Sequence, residues 1–80
     1  MAIKQVMFTF PEHLIKEPII YNLSQKFKIV PNIRRADVTE NRGWIMLEME
    51  GAEEEIERGI AWVQSQGVRV DPVVGDVVEG

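Results

Sequence analysis

Residues 28–51, KIVPNIRRADVTENRGWIMLEMEG, decide the fold. They read as two strands joined at a turn. In the second strand Ile45, Leu47 and Met49 point one way and Trp44, Met46, Glu48 and Glu50 the other, because strand side chains alternate between faces. A large aromatic ring and a methionine therefore lie opposite the core set. In the first strand Pro31-Asn32-Ile33 breaks the alternation. Proline has no N–H for a ladder, so this strand is expected at a sheet edge or bulged, with its kink near Pro31. Glu40-Asn41-Arg42-Gly43 is expected to turn the chain, with Gly43 free to take positive φ.

The flanking sequence extends the plan. Ile3 to Phe10 alternates as a strand, with Val6, Phe8 and Phe10 on one face and Gln5, Met7 and Thr9 on the other; Pro11-Glu12-His13 ends it. Glu17-Pro18 opens a helix, since proline suits the first helical position and an acid favours the helix dipole. Ile19, Ile20, Leu23 and Phe27 form its buried stripe. After Gly51 the period changes to helical again. Ile56, Ile60 and Val63 share a side with the small residues Ala52 and Gly59, and Gly67 caps the end. Val68, Val70 and Pro72 make a last short strand. The order β-α-β-β-α-β is an α+β, ferredoxin-like plan: a four-stranded antiparallel sheet with both helices on one face. Right-handed crossovers place the first and third strands centrally and the other two at the edges. The domain is expected over residues 1–74, with 75–80 as a C-terminal tail.

Composition narrows the function. The chain has 80 residues, no cysteine and one histidine. A core of this size rarely supplies more than about 3–5 kcal/mol without staples. Disulfides, iron–sulfur clusters and thiolate zinc sites are excluded, and His13 alone makes no metal site. Association with another copy, or with a larger host, is the remaining source of stability, and a homodimer is expected. Residues 1–42 carry seven Lys/Arg against four Asp/Glu, and residues 43–80 two against nine. The basic half is too thinly charged for a polyanion and the acidic half repels one, so nucleic acid is not an expected partner. There is no apolar run of membrane-spanning length and no signal-peptide pattern at Met1-Ala2-Ile3-Lys4. Membrane insertion is not expected, and the expected location is cytoplasmic.

Phe8-Thr9-Phe10-Pro11, Glu17-Pro18-Ile19-Ile20, Asn32-Ile33, Gly43-Trp44, Leu47-Glu48 and Gly67-Val68-Arg69-Val70 together resemble the NIL domain family over roughly residues 3–74. The Asn-Ile-Leu motif of the family stands here as Asn32-Ile33-Arg34. Such domains are regulatory modules on the ATPase subunits of methionine importers, or lie beside ferredoxin-type iron–sulfur domains; the Phe-Pro and Glu-Pro-Ile-Ile segments are closer to the second group. The resemblance implies a ferredoxin-like fold, pairing of two copies and binding of methionine or a similar amino acid. It also implies a transporter or ferredoxin-type protein partner. The chain carries neither a nucleotide-binding module nor cysteines, and reads as a stand-alone copy.

On that resemblance the candidate ligand residues are Asn32, Ile33, Met46, Trp44 and Met7. An amide donates and accepts at once, so Asn32 can hold the charged groups of an amino acid. It can equally satisfy backbone left unpaired beside Pro31. Trp44, Met46 and Met7 can floor an apolar pocket, or be covered by a second copy or another protein. Trp62 lies off its helix stripe and flanks the core. Arg34 and Arg35 read as solvated edge charges that discourage aggregation, with pairing to a ligand carboxylate as the alternative. Glu53–Glu57 reads as dipole-favoured charge at a helix start. Ser24 and Ser65 have no histidine in their segments, and there is no phosphate-cradling glycine loop, so no enzyme and no cofactor are expected. Arg42-Gly43-Trp44-Ile45-Met46 is similar to the start of an RNA-recognition signature. It fails where Met46 replaces a stacking aromatic and Glu48 and Glu50 face the RNA. The sequence therefore points to a non-catalytic regulatory module that senses an amino acid, with a pure protein–protein adaptor as the alternative.

Overall fold

The computed structural model describes residues 1–73, so the tail expected at 75–80 lies outside the described residues. Strand β1 spans Ala2–Phe10, helix α1 Ile19–Lys26, β2 Ile29–Val38, β3 Gly43–Gly51, α2 Glu53–Ser65 and β4 Arg69–Pro72. The sheet order is β2-β3-β1-β4, and every neighbouring pair is antiparallel. The expected architecture, with β1 and β3 central, is the one observed.

The core is the face that alternation assigned to it. Val6, Phe8 and Phe10 of β1, Leu47 and Met49 of β3, and Ile29 of β2 are buried under Ile19 and Leu23 of α1 and Ile56 and Val63 of α2. Phe8 and Phe10 meet edge to face, their centroids 6.2 Å apart. Gly59 lets α2 descend onto this layer. Trp62, half-buried, lies beside Phe27 at 6.2 Å between centroids, with the Lys26 ammonium 5.6 Å from its ring centre. This is the flanking position its spacing suggested.

The turns differ from expectation in instructive ways. Gly43 does not take positive φ; among the described residues only Gly67 does, at 103°. Gly43 instead opens β3, buried and paired with both Phe10 and Val38. The turn is shifted by one residue and is built by Thr39. Its N–H donates to the Arg42 carbonyl at 2.7 Å, and its Oγ1 accepts from the Arg42 and Asn41 N–H groups at 3.2 and 3.4 Å. A side-chain acceptor thus replaces the left-handed glycine. Pro18 stands just before α1 as its capping residue, its carbonyl accepting from Asn22 N–H at 2.9 Å. A short 3-10 turn, Glu12–Leu14, leads toward it. Ala52 is exposed at the start of α2 rather than on its buried side.

The irregularity of β2 is not at Pro31. Pro31 keeps register with Met49, and the register shifts between Ile33 and Arg35, so Arg34 is the bulged residue. The reason follows from hydrogen-bond parity. Val73 N–H donates to the Gln5 carbonyl, so odd residues of β1 turn their polar groups to β4 and even residues turn to β3. Carried across β3, this directs the main-chain groups of Val30 and Asn32 inward and those of Pro31 to the open edge. A missing N–H costs nothing there. The edge position of β2 was anticipated correctly; the site of its kink was not.

Candidate functional site

Cross-strand partners share a face, so the register locates the candidate residues. Met7 lies opposite Met46 and Thr9 opposite Trp44 across β1 and β3. On the other side of β3, Asn32 lies opposite Glu48 and Arg35 opposite Met46. Met7, Trp44, Met46 and Asn32 therefore occupy the sheet face without helices. Trp44, Met46 and Met7 are half-buried there, while Asn32 is exposed. Ile33 does not join them. It pairs with Leu47, whose side chain enters the core, so Ile33 belongs to the helix face and is 52% exposed at the uncovered edge. The run Asn32-Ile33 is thus split between two surfaces by the pleat.

Two depressions lie apart on the open face among the described residues. One, of about 220 Å³, is lined by Ile3, Val30, Pro31, Asn32, Glu48 and Glu50. The Asn32 amide makes no hydrogen bond within the described residues, so both its donor and its acceptor remain available. Glu48 is engaged on one side by Arg34 at 3.6 Å; the pair is solvated and worth at most about 1 kcal/mol. The second depression, of about 410 Å³, lies where Met7, Thr9, Phe10, Pro11 and Trp44 meet the Arg42 turn. Met46 sits along β3 between Trp44 and Glu48. The polar and the apolar candidates are therefore neighbours on one face rather than walls of one cavity.

Sequence reasoning missed two further places. A small cleft of about 160 Å³ opens on the helix side between α1 and the β2–β3 end, lined by Ile15, Pro18, Tyr21, Val38 and Ile45 among others. Exposed Tyr21 and Val38 at its rim were visible as breaks in the amphipathic pattern. A wide hollow of about 960 Å³ separates the Glu12–Lys16 segment from residues 39–41. His13 is exposed on its wall. Among the described residues no group of three His, Cys, Asp or Glu side chains is placed to hold a metal ion. The Glu53–Glu57 run contains one structural member: Glu55 accepts the Lys28 N–H at 2.9 Å through Oε1 and binds Arg58 at 3.0 Å through Oε2. It ties the start of α2 to the entry of β2. No helix among the described residues is long and apolar enough to cross a membrane.

Comparison with known proteins follows the same line. A family model described as the NIL domain matches residues 4–72. Among solved structures, the chain is similar to the C-terminal domain of an ABC transporter ATP-binding protein from Enterococcus faecalis. The TM-score is 0.78 at 19% identity, covering 91% of this chain and 86% of the other. At that identity the likeness speaks for the fold alone. No curated protein matches the chain in sequence.

Proposed function

The chain belongs to the NIL domain family, and from that premise we propose that it is a non-catalytic regulatory module. It binds a small amino acid, methionine foremost, beside Asn32 at a contact between two copies, and reports to a transporter or ferredoxin-type partner in the cytoplasm. The observation that carries this reading is the family match over residues 4–72. The similar domain from Enterococcus faecalis is itself the C-terminal domain of an ABC transporter ATP-binding protein.

The chemistry beside Asn32 supports the ligand class. An unpartnered amide can donate to a carboxylate, and the carboxylates of Glu48 and Glu50 across the depression suit an ammonium group. Ile3 and Val30 give the site apolar walls, and Met46 is its half-buried neighbour on β3. Fixed polar groups on an apolar lining are the common make-up of small-ligand sites. Ile33, on the other face, contributes through the strand rather than by contact.

Calorimetry with methionine and related amino acids tests the proposal. At a ligand concentration ten times Kd, binding to the native state adds about 1.4 kcal/mol. For a domain of this size that raises the melting temperature by roughly 6–11 °C. The absence of both heat and a melting shift at millimolar amino acid would end the sensor reading. The half-buried Met7–Trp44 depression would then favour the adaptor reading, in which the same face takes a protein and no metabolite.

A further inference from the structure

Four methionines stand in this cysteine-free chain, and the sheet sets two of them side by side. Met49 is buried in the core, and Met1 is 93% exposed at the start of the chain. Met7 and Met46 are direct cross-strand partners on the open face, both half-buried. Odd residues of β1 turn their main-chain groups to β4, as the bond from Val73 N–H to the Gln5 carbonyl requires, so Met7–Met46 is a non-hydrogen-bonded pair. Such a pair sets its Cα atoms about 4.5 Å apart and brings its side chains closest. Trp44 is on the same face of β3, two residues before Met46 and diagonal to Met7. Diagonal neighbours lie about 7–8 Å apart, a gap that aromatic and long side chains span. The Trp44 ring makes no aromatic or cation–π contact among the described residues, which leaves its face available.

We propose that Met7 and Met46 hold a soft monovalent metal ion, copper(I), between their thioether sulfurs, with the Trp44 ring as the third contact. A thioether is an uncharged, polarizable donor that selects copper(I) over harder ions. An indole face attracts a cation held within about 6 Å of the ring centre. Each methionine sulfur stands at the end of an unbranched, rotatable chain, so two of them on facing residues can close on one ion.

The surroundings favour this ion over others. Among the described residues no three His, Cys, Asp or Glu side chains come together, so zinc, magnesium and calcium lack the nitrogen and oxygen donors they need. The charges beside the pair balance. Arg35 lies opposite Met46 and Asp37 opposite Trp44, while Asp71, opposite Met7, is bound to Arg69 at 2.9 Å. A balanced field gives a divalent ion no advantage, and the soft donors decide. The ion reaches the pair from solvent through the depression that Met7 and Trp44 line. Neither Asn32 nor Glu48 lines that depression, so the site is independent of the amino-acid reading.

Anaerobic titration tests the site, with silver(I) as a redox-inert stand-in and with copper(I) delivered from a chromophoric chelator. The chain has two tryptophans, so in a Trp62→Phe background Trp44 is the sole indole. One equivalent of either ion should quench its fluorescence saturably. Met7→Leu and Met46→Leu nearly conserve volume, and circular dichroism should report the parent fold for both. Loss of an outer-shell partner already costs metal sites about 10- to 100-fold in affinity. Each leucine variant removes a donor itself and should cost at least as much. Trp44→Leu should weaken binding in the chelator competition, and His13→Gln should leave it unchanged. No saturable quenching by either ion, an affinity untouched by both leucine variants, or equal competition by zinc(II) would overturn the proposal. So would a loss in His13→Gln as large as that in Met46→Leu.

Discussion

Gly59→Ala sets two effects of known size against each other. A Cβ at position 59 would stand 2.5 Å from Ile29 Cδ1 and 2.9 Å from Leu23 Cδ1. Those side chains are 4% and 0% exposed, so neither can swing into solvent. Ile29 is also held by its strand, which pairs it with Gly51 of β3. Helix propensity favours alanine over glycine by about 1 kcal/mol. Overpacking a closed core by one methyl costs about 1–3 kcal/mol, and two contacts under 3 Å place this site at the upper end. The net expectation is a loss of about 2 kcal/mol, or roughly 8–16 °C in melting temperature. Thermal and urea unfolding followed by circular dichroism read it directly. Ile29→Val removes the nearer obstructing methyl and alone costs about 1 kcal/mol. Combined with Gly59→Ala it should cost no more than it does alone, a coupling of more than 1 kcal/mol. If Gly59→Ala stabilises the domain by the helix-propensity increment, the close approach of α2 to the sheet is wrong.

Glu55→Ala should cost about 1 kcal/mol through loss of its bond to the Lys28 N–H, while Glu54→Ala, at an exposed position, should leave urea unfolding unchanged within about 0.5 kcal/mol. Gly67→Ala forces a Cβ into a backbone at φ 103° and 3.3 Å from Leu14 Cδ1, so it should lower stability by about 1–2 kcal/mol in the same assay. Asn32→Ala should leave stability unchanged, its amide having no partner within the described residues, yet weaken methionine binding by calorimetry at least tenfold.

Much of the architecture was legible because it rests on periodicity. Ile45, Leu47 and Met49 alternate without interruption, and the switch to helical spacing at Ile56, Ile60 and Val63 has no competing reading. Together they fix the layers. What escaped depends on partners distant in sequence. The bulge at Arg34 is a property of register with β3, and Pro31 drew attention away from it only because the side its nitrogen faces is set by the whole sheet. Thr39 displaced Gly43 as the turn-maker because a hydroxyl can satisfy two N–H groups, which composition does not reveal. Asn32 and Ile33 stood side by side among the candidates, yet the pleat sends Ile33 to the opposite face. The neighbourhood of Asn32, with Glu48 and Glu50 across from it, could be assembled only once the β2–β3 register was known.

The most direct test is a two-dimensional NMR titration of the chain with methionine, read residue by residue. Binding as proposed predicts saturable amide shifts concentrated at Val30, Asn32 and Met46–Glu50, with Asn32 side-chain resonances among the largest. Helix α2 and the Thr39 turn should stay still. An unchanged spectrum at millimolar methionine, or shifts gathered around Tyr21 and Val38 on the helix side, would contradict it.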